Sequence, residues 1–512
     1  MRTSFLSDDT ICAVATPSGM GAIAIVRISG PQAHAIVCSL FHRQGKTFQV
    51  EQIVGYRAYY GQIVDGSRKC ENTCNGVLDE ALVTFFKAPH SFTGEDSAEI
   101  SVHGSVYIQQ RLLELLIDKG ARLAQPGEFT RRAFVNRKFD LAQAEAVADL
   151  IASQNEAAHR VAMNQLKGGF SKELQALRAE LLEITSLMEL ELDFSEEDVE
   201  FADRTRLKAL LDDTLKHIGG LADSFRLGNA IRNGIPVAIV GETNTGKSTL
   251  LNALLGEDRA IVSDIAGTTR DTIEETLNVE GTLYRFIDTA GIRDTEETIE
   301  KIGIERTFKK IAEAEIVLGV IDGTQQVDQI VEAAKTIISK VDVLKQNLIL
   351  LINKRDLIDT PSYFDINNNL LYWLKPLYEE SIATHGGYMM DAYDYSITGH
   401  ECRDIRNLMV FWIISAKESD DIERLKRDIV YRTRSHKVDG NATLVTNVRH
   451  YEALKHASES LLAVQTGLDE GIPTDLVAQD LREALYYLGS ITGEITTDEV
   501  LGSIFSRFCI GK

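Results

Sequence analysis

The chain contains little cysteine: six residues among 512, in a pattern that forms no disulfide framework. Cys70 and Cys74 lie close together, but no matching second pair accompanies them, which argues against a zinc site of paired cysteines. Reduced thiols are therefore expected.

Long apolar runs are also missing. No segment approaches the roughly 20 apolar residues of a membrane span. The first nine residues contain neither a signal-peptide core nor an arginine-rich transit helix. The sequence predicts a soluble, cytoplasmic protein with no membrane partner.

Basic residues are few. Lysine and arginine number 54 against 76 aspartates and glutamates, which gives a net charge of −22. Because phosphate contacts depend on lysine and arginine, this balance excludes indiscriminate affinity for nucleic acid, and any RNA contact must be local. The one dense basic patch is either such a contact or an ordinary solvated helix start; it comprises Arg131, Arg132, Arg137 and Lys138.

What the chain does contain is a phosphate-binding loop. The stretch Gly241-Glu-Thr-Asn-Thr-Gly246-Lys247-Ser248 follows the apolar run 236–240 and precedes a helical pattern at 249–255. Glycines let backbone N–H groups approach phosphate oxygens, and the helix adds its positive end. Lys247 is predicted to reach the β- and γ-phosphates and Ser248 a Mg²⁺ ion, so the chain is predicted to bind a nucleotide.

Two further motifs follow in the order that a GTPase requires. Gly-Thr-Thr-Arg-Asp at 267–271 is expected to close over the γ-phosphate, with Thr269 as a second hydroxyl ligand of Mg²⁺. The apolar strand 283–287 then ends in Asp288-Thr-Ala-Gly291. Asp288 is expected to hold the metal through its water shell, and the Gly291 amide to contact the γ-phosphate.

The motif predicted to read the base is Asn353-Lys354-Arg355-Asp356, which follows the predicted apolar strand 348–352. A carboxylate such as Asp356 accepts two hydrogen bonds from guanine, whereas adenine would leave that carboxylate, expected to be buried, without a partner. Sites of this kind discriminate by about 10⁴ or more. The Lys354 stem is expected to lie over the ring. Ser415-Ala416-Lys417, after the strand 409–414, fits the last guanine-contacting loop.

The residue that orients the attacking water is not in its usual place. Ras-type enzymes have a glutamine directly after the glycine of the Asp-x-x-Gly motif, and here that position is Ile292. Isoleucine cannot hold a water molecule, so hydrolysis needs another polar group. Glu300 is the candidate, and the alternative is one more solvated carboxylate.

Pattern and length predict three domains. Residues 1–125 mix short alternating strands, such as 22–28 and 97–103, with helical stretches, which predicts an α+β domain. Residues 126–229 and 434–512 have helical periodicity, and two such arms on either side of an inserted module are expected to pack together. Residues 230–433 are predicted to form a Ras-like P-loop GTPase domain. Within it, about 360–407 is predicted to be an insertion, either partly folded or a surface excursion. The fold class is multidomain α/β and α.

Four stretches belong to no generic GTPase. They are Asp-Thr-Ile-Cys-Ala-Val-Ala-Thr-Pro-Ser-Gly at 9–19 with Val-Arg-Ile-Ser-Gly at 26–30, Ser-Phe-Thr-Gly-Glu-Asp at 91–96, Pro-Gly-Glu-Phe-Thr-Arg-Arg-Ala-Phe at 126–134 with Asp-Leu-Ala-Gln-Ala-Glu-Ala-Val at 140–147, and the terminal Phe-Cys-Ile-Gly-Lys at 508–512. On these stretches the chain resembles the MnmE (TrmE) family of tRNA-modification GTPases over almost its whole length.

The resemblance implies an activity and its partners. Members of this family, together with the FAD-dependent protein MnmG (GidA), add a carboxymethylaminomethyl or aminomethyl group to C5 of the wobble uridine of tRNA. The one-carbon unit comes from 5,10-methylene-tetrahydrofolate, and 5-formyl-tetrahydrofolate is a related ligand. The N-terminal domain is implied to bind the folate and to form a homodimer.

The resemblance also assigns residues. The folate contacts are Arg27, Glu99, Lys138 and Lys512. Read from the residues alone, Arg27 lies in an otherwise apolar strand and needs an anionic partner, which is either a ligand carboxylate or Glu99. The role of Cys509, beside the terminal lysine, stays open. K⁺ is implied to take the place of an arginine finger, with Asn244, Ser263, Ile265 and Thr268 as its ligands.

For the reaction itself, the resemblance makes Glu300 the water-orienting residue, beside Lys247 and Thr269. Thr243 stands where the family usually has proline. The motifs and the resemblance together place the following residues at GTP or GDP: Gly241, Asn244, Thr245, Gly246, Lys247, Ser248, Thr249, Ser263, Asp264, Ile265, Ala266, Gly267, Thr268, Thr269, Asp288, Thr289, Ala290, Gly291, Asn353, Lys354, Asp356, Ser415, Ala416 and Lys417. The alternative function is a regulatory or ribosome-assembly GTPase without modification activity.

Overall fold

The computed structural model describes residues 9–66, 76–193, 204–256, 275–287, 314–342, 346–385, 410–433, 443–506, 508 and 511. The chain divides into two compact units. One comprises residues 1–152, 162–220 and 452–512, and the other comprises 153–161 and 221–451. The predicted boundaries of three domains stay a prediction.

The first unit contains an eight-stranded sheet. Its strands are β1 (Thr10–Val14), β2 (Ile23–Ser29), β3 (Phe41–Arg43), β4 (Lys46–Thr47), β5 (Arg57–Val64), β6 (Val77–Phe86), β7 (Ser97–His103) and β8 (Ala121–Leu123), in the order β4-β3-β5-β6-β7-β2-β1-β8. Among the described strands of this sheet, β1 and β8 are parallel and every other neighbouring pair is antiparallel. The predicted strands 22–28 and 97–103 are confirmed as β2 and β7.

Three helices accompany this sheet: α1 (Ala33–Leu40), α2 (Val106–Asp118) and α3 (Glu128–Val135). Side chains alternate along the strands, as expected for a sheet with one face on a core. In β2, Ala24, Val26 and Ile28 are buried and share a core with Leu112 and Leu116 of α2. The mixture of strands and helices confirms the α+β character expected of the N-terminal region.

The helical part of the chain comes next and returns after the second unit. Its helices are α4 (Leu141–Ala152), α5 (Glu156–Leu166), α6 (Gly169–Asp193) and α7 (Arg204–Asn233), and later α12 (Val448–Glu470), α13 (Thr474–Thr492) and α14 (Asp498–Phe505). A buried stripe runs along α6, with Leu174, Leu177 and Leu181 at one-turn spacing. Because α6 packs on α13, the prediction that the two helical arms meet is confirmed.

The second unit contains a six-stranded sheet in the order β10-β11-β9-β12-β13-β14. Its elements are β9 (Ile235–Val240), α8 (Lys247–Leu255), β10 (Glu275–Val279), β11 (Thr282–Ile287), β12 (Ile316–Asp322), α9 (Val327–Ile338), β13 (Asn347–Asn353), α10 (Thr360–His385), β14 (Val410–Ile413) and α11 (Ser419–Arg432). Among the strands described in this unit, β10 is antiparallel to β11 and the other neighbouring pairs are parallel.

The central parallel strands β9, β12 and β13 are mostly apolar because both faces of the sheet are covered. In β12, Leu318 and Val320 join one core, whereas Val317 and Ile321 join the other. The parallel arrangement brings the carboxyl ends of β9, β12, β13 and β14 to one edge, where the predicted nucleotide motifs begin.

The segment predicted to be an insertion is partly helical. Residues 360–385 form α10, which packs on α9 and buries Ile366 and Leu370. Residues 386–409 lie outside the described part of the chain. Among the helices that the structure describes, none has the length and apolar content to cross a membrane.

Candidate nucleotide-binding site

The loop between β9 and α8 has a backbone that needs its glycines. Gly241 has φ of 153° and Gly246 of 96°, and Asn244 also has a positive φ, of 64°. A Cβ at Gly241 would lie 2.1 Å from the carbonyl oxygen of Val320, and one at Gly246 would lie 2.2 Å from Nδ2 of Asn353. Only glycine satisfies both the conformation and the close approach. The loop therefore has the geometry of a phosphate cradle.

Lys247 lies over this cradle. Its Nζ donates to the carbonyl oxygens of Gly241, at 2.9 Å, and Glu242, at 2.5 Å. Burial of the ammonium group lowers the pKa of Lys247, and the Glu242 carboxylate only partly opposes this. Lys247 and Ser248 lie in the first turn of α8, and the positive end of the helix dipole favours an anion there.

Asn353, the last residue of β13, connects two loops to the end of this strand. The side chain is buried, with 3% of the residue exposed. Its Nδ2 donates to the carbonyl oxygen of Thr245 at 2.9 Å, and its Oδ1 accepts from the amide of Ala416 at 2.9 Å. The phosphate loop and the Ser415–Lys417 loop are thus fixed to the strand end that carries Asp356.

Asp356, the predicted base-reading residue, is not buried. About 27% of its side chain is exposed, which corrects the expectation of a buried carboxylate. Ser415 Oγ donates to Oδ1 of Asp356 at 2.8 Å, and this hydrogen bond lowers the pKa of the carboxyl. Lys417 Nζ lies 3.8 Å from the other oxygen. The carboxylate is charged, oriented and accessible to a base from solvent.

Two aspartates in this site were missed by sequence reasoning. Asp421 Oδ2 accepts from the amide of Ser415 at 2.8 Å and lies 3.1 Å from Arg355 Nη2, which fixes the Ser415–Lys417 loop. Asp322, the last residue of β12, lies 2.6 Å from Lys354 Nζ. In the sequence, the feature that could have indicated Asp322 was its position at the end of an apolar run, as for the predicted motifs.

The described part of the chain includes roughly half of the predicted nucleotide residues. The role of all of them in nucleotide binding stays a prediction. Those outside the described part are Ser263, Asp264, Ile265, Ala266, Gly267, Thr268, Thr269, Asp288, Thr289, Ala290, Gly291 and Glu300. Lys512, a predicted folate contact, and the nearby Cys509 also lie outside the described part of the chain.

Arg27 forms an ion pair with Glu99 across neighbouring strands. The two residues are opposite each other in the β2–β7 register, and Nη2 lies 2.8 Å from Oε1. The guanidinium also lies 5.3 Å from the ring centre of Phe92 and 5.7 Å from that of Phe129. The anionic partner of Arg27 in this structure is therefore Glu99. Lys138 Nζ donates to the carbonyl oxygen of Pro89 at 3.1 Å.

One member of the basic patch, Arg132 on α3, is not solvated. Arg137 and Lys138 lie beyond the end of this helix and are exposed. Arg132 is buried, with 7% of its side chain exposed, and it contacts three carboxylates. Its nitrogens lie 2.7 Å from Asp9, 3.2 Å from Glu95 and 3.3 Å from Glu128. Because a buried charge needs such partners, Arg132 is structural and is not available to RNA.

Comparisons with known proteins decide the family. The family model described as "MnmE helical domain" matches residues 141–509, and the one described as "GTP-binding protein TrmE N-terminus" matches residues 10–138. A relative from Bacteroides thetaiotaomicron, named tRNA modification GTPase MnmE, is 48% identical over 509 residues, which cover 99% of this chain and 100% of the relative. The chain belongs to the MnmE (TrmE) family.

Other MnmE relatives give the same result. The proteins of that name from Porphyromonas gingivalis and Flavobacterium johnsoniae are 47% and 46% identical, over 98% and 99% of this chain and 98% and 100% of the relatives. A solved FeoB G domain from Methanococcus jannaschii, at 20% identity and a TM-score of 0.23, covers 39% of this chain and 98% of that domain, and the assignment does not depend on it. The predicted family, the multidomain α/β and α fold class and the enzyme class, a GTPase, are confirmed.

Proposed function

We propose that this chain hydrolyses GTP in the modification of tRNA. With an FAD-dependent MnmG partner, it adds a carboxymethylaminomethyl or aminomethyl group to C5 of the wobble uridine, using a folate one-carbon donor. The observation that best supports GTP hydrolysis by this chain is the pair of hydrogen bonds made by Asn353. They connect the phosphate loop to the loop that is predicted to contact guanine. Curated relatives that match the full chain bear the name tRNA modification GTPase.

The residues at the cradle fit a nucleotide with Mg²⁺. Ser248 in the first turn of α8 and Thr269 are the proposed hydroxyl ligands, and Lys247 binds the phosphates. Hydroxyl oxygens suit Mg²⁺, which is commonly held by a few protein oxygens together with water and substrate phosphates. When bound, the ion neutralises charge on the phosphates.

The Arg27–Glu99 pair is the proposed folate contact, together with Lys138 and Lys512. The pair offers a guanidinium donor and a carboxylate acceptor beside the rings of Phe92 and Phe129. Heteroaromatic ligands need this combination of polar groups and flat apolar surface. We also propose that the chain forms a homodimer through its N-terminal domain, as the resemblance implies.

The C-terminal tail supports this placement of the folate. A Cβ on Gly511, whose φ is 95°, would lie 2.2 Å from the carbonyl oxygen of Val14. Val14 pairs with Val26, the residue before Arg27, in the β1–β2 register. The residue before Lys512 is therefore held against the strand pair that carries Arg27.

Two measurements separate this function from a regulatory or ribosome-assembly GTPase. In cells that lack the protein, wobble uridine should lose its C5 modification, as measured by mass spectrometry of tRNA nucleosides, and the gene for this chain should restore it. The purified protein should unfold at a higher temperature in saturating 5-formyl-tetrahydrofolate, because a ligand that binds the native state stabilises it. If the C5 modification persisted in cells without the protein and the folate did not raise the unfolding temperature, the regulatory or ribosome-assembly function would be favoured.

Hydrolysis is expected to depend on K⁺ and on Glu300. We propose that Asn244, Ser263, Ile265 and Thr268 bind K⁺, which takes the part of an arginine finger, a device worth about 10³ to 10⁵ in rate. Replacement of K⁺ by Na⁺ should therefore slow GTP turnover strongly.

Glu300→Ala should lower GTP turnover in both salts while GTP affinity stays nearly the same, since the proposed role of Glu300 is in the transition state. Equal wild-type rates in K⁺ and Na⁺ would contradict the K⁺ site, and full activity of Glu300→Ala would contradict the water-orienting role.

A further inference from the structure

The turn after β12 presents one carboxylate whose two oxygens have separate partners. Asp322 Oδ1 accepts from the amide of Thr324 at 3.0 Å and from its hydroxyl at 2.7 Å. Asp322 Oδ2 accepts from Lys354 Nζ at 2.6 Å. The two hydrogen bonds from Thr324 fix the plane of the carboxylate, so that its second oxygen faces the lysine.

The backbone of the same turn contacts the base-reading loop. Asp322 and Asn353 are opposite each other in the β12–β13 register, and the amide of Gly323 donates to the carbonyl oxygen of Asn353 at 2.9 Å. A Cβ at Gly323 would lie 2.7 Å from that carbonyl oxygen and 2.6 Å from Cδ1 of Ile358. The turn is therefore held directly against the loop that begins at Asn353.

Lys354 is constrained at both of its ends. Its φ is 68°, a left-handed conformation that residues with a Cβ rarely adopt. Its ammonium group is fixed by Asp322, and the two side chains are 29% and 15% exposed. Because this pair is largely shielded from water, it is screened less than a surface pair.

We propose that Asp322 is a positioning residue for guanine-nucleotide binding, acting through Lys354. By holding the ammonium group at one end, it fixes the methylene stem of Lys354 where that stem covers the face of the base. The inference rests on the proposed function, since Lys354 meets a base only if a nucleotide occupies this site. Asp322 itself does not touch the nucleotide.

The test is a double-mutant cycle between Asp322→Asn and Lys354→Met, with the dissociation constant for fluorescent GDP as the readout. Asparagine keeps the shape and an acceptor for Thr324 but removes the charge; methionine keeps an apolar stem. Loss of one charge-assisted contact predicts GDP affinity lower by roughly tenfold in each single variant. The double variant should bind no more weakly than Lys354→Met alone. The KM for GTP should rise in Asp322→Asn while kcat is nearly unchanged.

Asp328→Asn is the matched control. It removes the same charge from an exposed position in the first turn of α9, six residues from Asp322, and should leave GDP affinity unchanged. Thr324→Val is the second variant: it removes the hydroxyl hydrogen bond but leaves both charges, and should weaken GDP binding by about two- to threefold. Thermal unfolding of every variant checks that the fold is kept.

Three outcomes would overturn the inference. The first is wild-type GDP affinity in Asp322→Asn. The second is additive losses in the double variant, which would mean that Asp322 acts independently of Lys354. The third is absence of GDP binding in both the wild type and Asp328→Asn, which would remove the proposed function as well and so differs from the first two.

Discussion

Asp356→Asn is expected to abolish the preference of this protein for guanine nucleotides. The carboxylate at this position accepts two hydrogen bonds from guanine, from N1–H and from the exocyclic amine. An asparagine amide offers one acceptor and one donor, and its donor faces the guanine amine. Since sites built on matched hydrogen bonds discriminate by about 10⁴ or more, affinity for GTP should fall by a factor of this order. Xanthine carries a carbonyl in place of that amine, so the variant should bind xanthosine triphosphate better than GTP.

The fold should survive this substitution. Ser415 Oγ donates to Oδ1 of Asp356, and an asparagine keeps an acceptor at that position. The loop is also fixed independently by Asn353, through Ala416, and by Asp421, through Ser415. The loss should therefore appear in base selection and not in stability.

Competition between GTP, ATP and xanthosine triphosphate for fluorescent GDP measures the change. Asp359→Asn serves as the control: this exposed carboxylate accepts from the amide of Ser362 at 3.1 Å, and asparagine can make the same contact. The control should keep guanine selectivity. Unchanged selectivity in Asp356→Asn would contradict the assignment of Asp356 as the base-reading residue.

The sequence predicted the strands of the site because local pattern determines them. Apolar runs of five or six residues became β9, β11, β13 and β14, and each motif lies where its strand ends. In a parallel sheet these ends share one edge, so the assembly of the phosphate loop with Asn353 and Ser415 follows from the order of the elements.

The sequence did not predict which charged residues would be buried. Arg132 pairs with Asp9 and Glu95, which are 123 and 37 positions away, and no local pattern relates them. Asp322 was one among 76 acidic residues, and only the register of β12 with β13 places it beside Lys354. The exposure of Asp356 also depends on how the loops pack. These are consequences of tertiary contacts between segments that are distant in the chain.

Gly246→Ala is expected to remove nucleotide binding and to lower stability as well. The added methyl group would lie 2.2 Å from Asn353 Nδ2, the donor that connects Asn353 to the Thr245 carbonyl oxygen. Strain at a φ of 96° costs about 1–2 kcal/mol. Displacement of the Asn353 hydrogen bond adds about 1–3 kcal/mol. Because this bond joins the phosphate loop to the base-reading loop, its loss should separate the two halves of the nucleotide site.

Gly281→Ala separates the effect of the clash from that of backbone strain. Gly281 also has a positive φ, of 82°, but a Cβ there would meet no atom within 4 Å. This control should unfold at a somewhat lower temperature and keep its GDP affinity, whereas Gly246→Ala should show no GDP binding in calorimetry at concentrations that saturate the control. If both variants bound GDP equally, Gly246 would matter only for local conformation, and the contact with Asn353 would not be what joins phosphate binding to base recognition.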